Sequence, residues 1–269
     1  MSEELSKKLE GLIEAKIKEL LYDNPEESYE EIPVVKPLGK YCDHTVLRAY
    51  TTEEKVKEFC KEALDYGAAS VCVMPYYAKL VRSELAGSDV KTCVVVGFPL
   101  GTNTSETKAF EAAQAVCQGA QEVDMVINVG ALRDKKYEYV YNDIKAVVDA
   151  AKAKDPEALV KVIIETCYLN DEEKVAACVC SSEAGADYVK TSTGFGTDGA
   201  YADDVRLMYR AVDGKLKVKA STNVNTQKTA LEMIHAGADR LGISRVKQIV
   251  TGEDNASSAS RTNQPPKYR

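Results

Sequence analysis

The sequence has few of the features that mark metal-binding, secreted, membrane or nucleic-acid-binding proteins. Only two of its 269 residues are histidines and no cysteines are spaced C-x-x-C, so neither a zinc site nor a disulfide framework is expected. No apolar run approaches the ~18 residues that a membrane span needs. The N-terminus is charged from Glu3 onward and shows no signal-peptide core. The net charge of −7 argues against nucleic-acid binding, which needs a basic face. We therefore expect no metal, no cofactor, no nucleic acid and no membrane partner.

The cysteines fit the same picture, because each of the eight lies singly within an apolar segment. They are Cys42, Cys60, Cys72, Cys93, Cys117, Cys167, Cys178 and Cys180. Reduced thiols of this kind are typical of a cytoplasmic protein, which is the location we expect. Cys72 stands apart, since its predicted strand ends near the predicted active site.

The chain divides by composition into three parts. Residues 1–39 form a predicted N-terminal extension, in which leucines and isoleucines at helical spacing predict an amphipathic helix from Glu4 to Tyr22. Residues 40–250 form the predicted main domain. Residues 251–269 are rich in Ser, Thr, Asn, Gln and Pro and are predicted to be a disordered polar tail.

The main domain repeats a strand, a loop and a helix. Strands are predicted at 40–42, 69–73, 91–96, 122–127, 160–164, 188–190, 217–220 and 240–242. Helices are predicted at 52–66, 104–118, 137–153, 171–184, 203–210 and 226–236. A Gly-Ala pair joins helix to strand four times, at 67–68, 119–120, 185–186 and 237–238. Glycine at such a joint tolerates the left-handed conformation that ends a helix.

Eight strands that alternate with helices predict an α/β fold, a (β/α)8 TIM barrel. The alternative is a doubly wound open sheet, which would need a glycine-rich phosphate loop after its first strand. The predicted first loop, Asp43-His44-Thr45, is not glycine-rich.

Two lysines and one acid stand out within or at the end of apolar strands. Lys190 and Lys219 each end a strand, and Asp124 lies inside one. Lysine is almost never buried unless it is paired or functional. An amine attacks a carbonyl only when it is deprotonated, and burial or a second cation lowers its pKa. The three residues therefore predict a Schiff-base site. The alternative is structural: the amines pair with Asp124 or Glu165, and Asp124 belongs to a plain buried ion pair.

The chain also resembles deoxyribose-phosphate aldolases over about residues 40–250. The similar segments, in order, are DHTVLR (43–48), ASVCV (69–73), VGFPLG (96–101), EVDMVIN (122–128), KVIIET (161–166) and ADYVKTSTGF (186–195). The resemblance implies a (β/α)8 barrel that reversibly cleaves 2-deoxy-D-ribose 5-phosphate to acetaldehyde and D-glyceraldehyde 3-phosphate, without a metal. It also implies that Lys190 forms the Schiff base and that Lys219 and Asp124 transfer protons.

The chain departs from the family after the second lysine. Thr222 and Asn223 replace a glycine pair, Asn225 replaces an arginine, and Arg245 replaces a small residue. These changes affect the turns that the resemblance assigns to the substrate phosphate. We expect Arg245 to bind phosphate, or else to point to solvent or pair with Asp239 or Glu253.

The resulting hypothesis is a class I aldolase acting on a small phosphorylated sugar, as a dimer or tetramer of identical chains. Alternatives are another Schiff-base aldolase or transaldolase, and a barrel that binds a phosphosugar without turnover. The predicted substrate-binding residues are Asp43, Thr45, Cys72, Thr193, Gly194, Phe195, Ser221, Asn223, Gly242, Ser244 and Arg245.

Overall fold

The computed structural model describes residues 2–24 and 30–253, whose strands close into a parallel barrel. The strands are β1 Cys42–Thr45, β2 Ser70–Val73, β3 Lys91–Val96, β4 Glu122–Val126, β5 Leu159–Ile163, β6 Tyr188–Lys190, β7 Lys217–Ser221 and β8 Ala238–Ile243. Each strand pairs in parallel with its neighbours in the chain, and β8 closes on β1. The predicted (β/α)8 barrel is therefore confirmed, and the open sheet is excluded.

Helices cover the outside of the barrel. Those within the described residues are α1 Ser2–Ile17, α2 Glu53–Asp65, α3 Ala78–Glu84, α4 Ser105–Cys117, α5 Val129–Arg133, α6 Tyr137–Lys152, α7 Asp171–Glu183, α8 Ala202–Val212, α9 Gln227–His235 and α10 Val246–Thr251. A π-helical turn, Lys18–Asp23, continues α1. The predicted left-handed joints are confirmed, since Gly67, Gly119, Gly185 and Gly237 all have positive φ. None of these helices is long and apolar enough to cross a membrane.

The structure corrects the first strand and adds three short helices. Residues 38–41 form a 3-10 turn, so the strand spans Cys42–Thr45 and not 40–42. Asp43, His44 and Thr45, expected in a loop, pair with β2. A charged residue can occupy this strand because cations inside the barrel neutralise Asp43. The sequence prediction missed α3, α5 and α10, which at five to seven residues are too short to show a clear period.

Two hydrophobic clusters hold the barrel. The larger one lies between strands and helices, and valines and alanines dominate it. The smaller one consists of Leu47, Cys72, Cys93 and Val95, with Met74 and Phe98 packed against it. Branched apolar side chains usually fill the interior of such barrels in layers. Here much of that interior is taken by buried charged residues, described below.

The N-terminal helix packs on the side of the barrel, against α6 and α7. Leu9 and Ile13 are buried there, which confirms an amphipathic helix, although Leu12 is 37% exposed. Lys8 pairs with Glu183 of α7 at 2.8 Å. The boundary of the barrel domain stays a prediction, and most of the predicted tail, from residue 254 on, lies outside the described residues.

Candidate active site

The carboxylate of Asp124 lies at the centre of a cluster of buried amines. Its Oδ1 accepts a hydrogen bond from Lys161 Nζ at 2.8 Å. Its Oδ2 accepts from both Lys190 Nζ and Lys219 Nζ, each at 2.7 Å. All four side chains are at most 3% exposed. The structure thus brings the three predicted catalytic residues together and adds a third lysine.

Strand register explains why these residues meet. Lys190 of β6 is the Cα partner of Lys219 on β7, and Asp124 of β4 is the partner of Lys161 on β5. In a barrel, side chains that alternate along each strand point inward, so paired positions on neighbouring strands reach one interior layer. The short sixth strand ends at Lys190, which places its amine near the C-terminal mouth, where barrel enzymes carry their active sites.

A second set of ion pairs lies directly against the first. Lys219 Nζ is 2.5 Å from Asp43 Oδ2, and Lys161 Nζ is 2.7 Å from Glu122 Oε2. Arg240 of β8 bridges the two acids, binding Asp43 through Nη1 and Glu122 through Nη2 at 2.8 Å. Asp43, a predicted substrate-binding residue, therefore has its carboxylate engaged by cations below the mouth.

The sequence analysis missed Lys161, Glu122 and Arg240. The signal was available for Lys161, which lies between Val160 and Val162 as Asp124 lies between Val123 and Met125. It was weaker for Glu122 and Arg240, because each follows a polar residue. What the sequence does not show is the pairing, because Arg240 and Glu122 are 118 residues apart. These three residues and the predicted ones form ion pairs between strands that become neighbours in the barrel interior only once the chain has folded.

The protonation states follow from burial and charge. Burial alone would raise the pKa of Asp124, but Lys161, Lys190 and Lys219 hold it well below its usual range. Burial would lower the pKa of Lys219, yet Asp124 and Asp43 raise it above the usual lysine value. Asp124 is therefore a carboxylate and Lys219 an ammonium at neutral pH.

The alternative that treated the amines as members of buried ion pairs is correct about their contacts with Asp124. It is wrong about Glu165, whose Oε2 accepts from Thr193 Oγ1 at 2.5 Å and whose Oε1 accepts from Thr193 N at 3.1 Å. Glu165 thus orders the loop after β6 and leaves Lys190 with a single carboxylate. Lys190 therefore has fewer carboxylate neighbours than Lys161 or Lys219, and it shares its one carboxylate with both.

Two thiols also face Asp124. A sulfur from each of Cys72 and Cys93 lies within 4.8 Å of the other and of an Asp124 oxygen, a geometry that could hold a metal ion. Burial raises the pKa of Cys93 well above its usual value, and the carboxylate of Asp124 is already occupied by three amines. Metal binding needs thiolates and a free carboxylate. The donor set therefore fits a metal poorly.

The loops after β6 and β7 are joined above the amines. Ser221 N donates to Thr191 Oγ1 at 3.0 Å, and Ser221 Oγ donates to the Ser192 carbonyl at 2.6 Å. Ala200 N donates back to the Ser221 carbonyl at 3.1 Å. The predicted substrate-binding residue Ser221 is therefore buried and fixes the entrance to the turn that follows.

That turn keeps a glycine-like backbone without glycine. Thr222 and Asn223 have φ of +67° and +64° in succession. Asparagine tolerates this left-handed conformation, whereas a β-branched residue is strained in it. Asn223 Nδ2 donates to Asp198 Oδ1 at 2.7 Å and so links the two loops. Asp198, which the sequence analysis missed, also accepts from Tyr201 OH at 2.6 Å, which with Asn223 lowers its pKa.

The remaining predicted substrate-binding residues surround the same mouth. Thr45 Oγ1 donates to the Asp43 carbonyl at 2.8 Å. Phe195 is 46% exposed, with Phe98 edge-on at 5.3 Å between ring centroids. At Gly242, a β-carbon would approach that of Ser221 to 2.6 Å, so only glycine fits between β7 and β8. Gly194 takes the left-handed conformation that glycine permits, at φ +83°.

Ser244 and Arg245 follow β8 directly. Ser244 is exposed and Arg245 is half-buried. The expected alternative pairings of Arg245 are not formed, because Asp239 binds Lys36 and Tyr188, and Glu253 binds Lys247. The side chain of Arg245 makes no hydrogen bond or ion pair with any other residue that the structure describes. Its guanidinium is therefore available to a ligand.

Comparisons with known proteins agree on one family. Residues 38–245 match the model of the DeoC/LacD family of aldolases. A Clostridium tetani protein named deoxyribose-phosphate aldolase is 62% identical over 213 residues, which is 79% of this chain and 97% of the relative. A Listeria welshimeri protein of the same name is 55% identical over 219 residues, 81% of this chain and 97% of the relative.

Similar solved structures also include proteins described as deoxyribose-phosphate aldolases. A Coccidioides immitis chain, provisionally assigned as a deoxyribose-phosphate aldolase, superposes with a TM-score of 0.85 at 40% identity. The match covers 93% of this chain and 98% of that one. A deoxyribose phosphate aldolase from Aeropyrum pernix, described as having a unique tetrameric structure, superposes with a TM-score of 0.73 at 30% identity. The match covers 89% of this chain and 95% of that one.

The strained turn predicts an unusual stability effect at Thr222. Thr222→Gly should raise the free energy of unfolding relative to Thr222→Ala by about 1 kcal/mol, since only glycine relieves the left-handed strain. Both variants lose the hydroxyl and methyl groups, so alanine is the matched control. Urea unfolding midpoints measure the difference. Equal stability of the two variants would show that the native backbone at Thr222 is not left-handed.

Proposed function

The chain belongs to the DeoC/LacD family of aldolases, and we propose that it is a deoxyribose-phosphate aldolase that works through a Schiff base on Lys190. The observation that carries this proposal is the Asp124 carboxylate shared between Lys190 and Lys219 at 2.7 Å each. One amine lies at a strand end facing the mouth, and a second, permanently charged amine lies beside it. That arrangement serves a nucleophile that must be neutral.

The first half of the reaction is addition. The neutral amine of Lys190 attacks the C1 aldehyde of open-chain 2-deoxyribose 5-phosphate and forms a carbinolamine, which loses water to give an iminium ion. Asp124 and Lys219 are the groups within hydrogen-bond distance of Lys190, directly or through the shared carboxylate. They are suited to supply and remove the protons that this step needs.

Carbon–carbon cleavage follows from the electron demand of the iminium. The C2–C3 bond breaks, its electron pair forms an enamine with C1, and the C3 hydroxyl loses its proton to become the aldehyde of glyceraldehyde 3-phosphate. The enamine is then protonated at C2, and water releases acetaldehyde from Lys190. Acetaldehyde keeps two carbons, so no other bond of the sugar gives this product.

We assign phosphate binding to the turns that follow β6, β7 and β8. Thr222 and Asn223, which replace the family's glycine pair, both have the left-handed backbone that glycine readily adopts. Backbone N–H groups in such a turn form an anion-binding concavity. Arg245 adds a cation without a protein partner among the described residues, and we assign it to the phosphate.

The rival hypotheses make different demands on the site. A barrel that binds a phosphosugar without turnover would not need the Lys190–Asp124–Lys219 arrangement. Another Schiff-base aldolase or transaldolase would use the same lysines, so only a panel of substrates separates it from the present proposal. The named relatives favour deoxyribose 5-phosphate.

We also propose an assembly of identical chains in the cytoplasm. The Aeropyrum pernix relative is described as tetrameric. All eight cysteines of this chain are free thiols, as a reducing compartment would require. The number of subunits, dimer or tetramer, stays a prediction.

The function is tested by acetaldehyde release from deoxyribose 5-phosphate. The wild-type protein should release it with EDTA present, since the proposed chemistry uses side chains of the protein and no metal ion. Lys190→Met should abolish release while the protein stays folded. Activity that is lost on chelation and restored by a divalent metal, or full activity in Lys190→Met, would contradict the proposal.

A separate prediction concerns Arg245. Arg245→Ala should raise KM for deoxyribose 5-phosphate about tenfold or more, because a charged hydrogen bond is worth ~1.5–3 kcal/mol. KM for unphosphorylated deoxyribose should change little. Lys247→Ala, which removes a neighbouring cation that pairs with Glu253, is the matched control. An equal change with both sugars would place Arg245 outside the phosphate site.

A further inference from the structure

A second cavity lies at the N-terminal end of the barrel, opposite the mouth that holds the candidate active site. Lys91 and Lys217 are the first residues of β3 and β7, and both line this cavity. Its volume is about 220 Å³. The proposed reaction takes place at the other end of the barrel, so this cavity has no role in it.

The lining of the cavity is basic, although the chain as a whole carries a net charge of −7. Basic side chains reach it from the segment before β1 and from β3, β7 and β8. Of the described residues, two acids line it as well, Asp89 and Asp239. The basic residues are Lys36, Lys40, Lys91, Lys217 and Arg240.

Two of the lining side chains, Tyr188 and Arg240, are buried, at 4% and 9% exposure. Tyr188 OH donates a hydrogen bond to Asp239 Oδ2 at 2.8 Å. Arg240 binds Asp43 and Glu122 through its Nη atoms, whereas its Nε makes no hydrogen bond with any residue that the structure describes. Donors of buried side chains usually have a partner. Arg240 therefore has one donor left for a ligand in the cavity that it lines.

The lysines of the cavity are only partly paired. Lys36 and Lys217 both pair with Asp239, at 2.9 and 3.5 Å. The side chains of Lys40 and Lys91 form no hydrogen bond or ion pair with any described residue. Four lysines thus face two aspartates, a formal surplus of two positive charges. The buried arginine is left out of this count because two buried carboxylates hold it.

The charge and size of the cavity indicate the class of its ligand. A phosphate group carries about −1.5 to −2 charges at pH 7, which matches the surplus. Lysine amines bind phosphate as point charges. The cavity is smaller than the ~300–1,000 Å³ of pockets that enclose drug-sized ligands. It therefore has room for a phosphate group, and any organic part of the ligand would stay in solvent.

We propose that this cavity is a second anion site, which binds inorganic phosphate or the phosphate end of a phosphate monoester on the face opposite the candidate active site. Lys40 and Lys91 are assigned to the anion because their amines have no other partner among the described residues. The inference does not depend on the proposed function, since none of the proposed catalytic residues lines the cavity. A ligand that binds only the folded chain stabilises it, so occupancy can be read out as stability.

The test is thermal unfolding of the full chain at constant ionic strength, with chloride exchanged stepwise for inorganic phosphate. The dependence of Tm on phosphate concentration gives an apparent Kd. Lys40→Ala/Lys91→Ala should raise that Kd about tenfold or more, because it removes the two unpaired amines. Asp89→Asn removes an acid from the lining and should lower the Kd.

Differences between variants carry the result. Phosphate also stabilises proteins by exclusion from their surface, and phosphate bound at the mouth adds to the same signal. Both effects are common to all the variants. The matched control is Lys57→Ala/Lys154→Ala, which changes the net charge equally. These two lysines are exposed, lie outside the cavity and have no side-chain partner among the described residues, so the control should keep the wild-type Kd.

The inference is wrong if the Lys40/Lys91 variant keeps the wild-type Kd, if the control loses affinity equally, or if Asp89→Asn weakens binding. If the Lys40/Lys91 variant does not fold, the direction of the Asp89→Asn change decides. A parallel titration with glycerol 2-phosphate separates the two sources of the anion. Tighter binding than that of inorganic phosphate would identify a phosphate monoester as the ligand, and weaker binding would identify free phosphate.

Discussion

The structure depends on one carboxylate, Asp124, which three buried lysines share. An isolated charge in the interior of a protein is very costly, and a buried ion pair offsets that cost only when its remaining hydrogen-bonding groups are also satisfied. Here Asp43, Glu122 and Arg240 complete the pairing around the lysines. Removal of one partner would take away a charge that its neighbours are paired with, so the stability of the barrel interior depends on these contacts.

The (β/α)8 architecture makes this possible because its strands aim alternate side chains into one enclosed space. Helices and the large apolar cluster outside the strands stabilise the fold, so the interior can hold charge where other barrels hold branched apolar residues. The proposed nucleophile is on the short β6, whose last residue is Lys190. The proposed nucleophile thus lies at the mouth end of its strand, within hydrogen-bond distance of the shared Asp124 carboxylate.

Much of this was predictable from residue patterns. The repeated α/β unit and its glycine joints indicated the barrel, and charged residues in apolar strands indicated Lys190, Lys219 and Asp124. The same signal marked Lys161, but its partners depend on register between distant strands, which local periodicity does not reveal. Thr222 was unpredictable for another reason: its residue type disfavours a left-handed backbone, and hydrogen bonds between two loops impose one.

The central claim is that Lys190, and not another amine of the cluster, forms the covalent intermediate. Borohydride reduction in the presence of acetaldehyde, followed by peptide mapping, tests it most directly. We predict a single reduced two-carbon adduct on the peptide that carries Lys190. An adduct on Lys219 or Lys161, or no adduct in an active enzyme, would contradict the account.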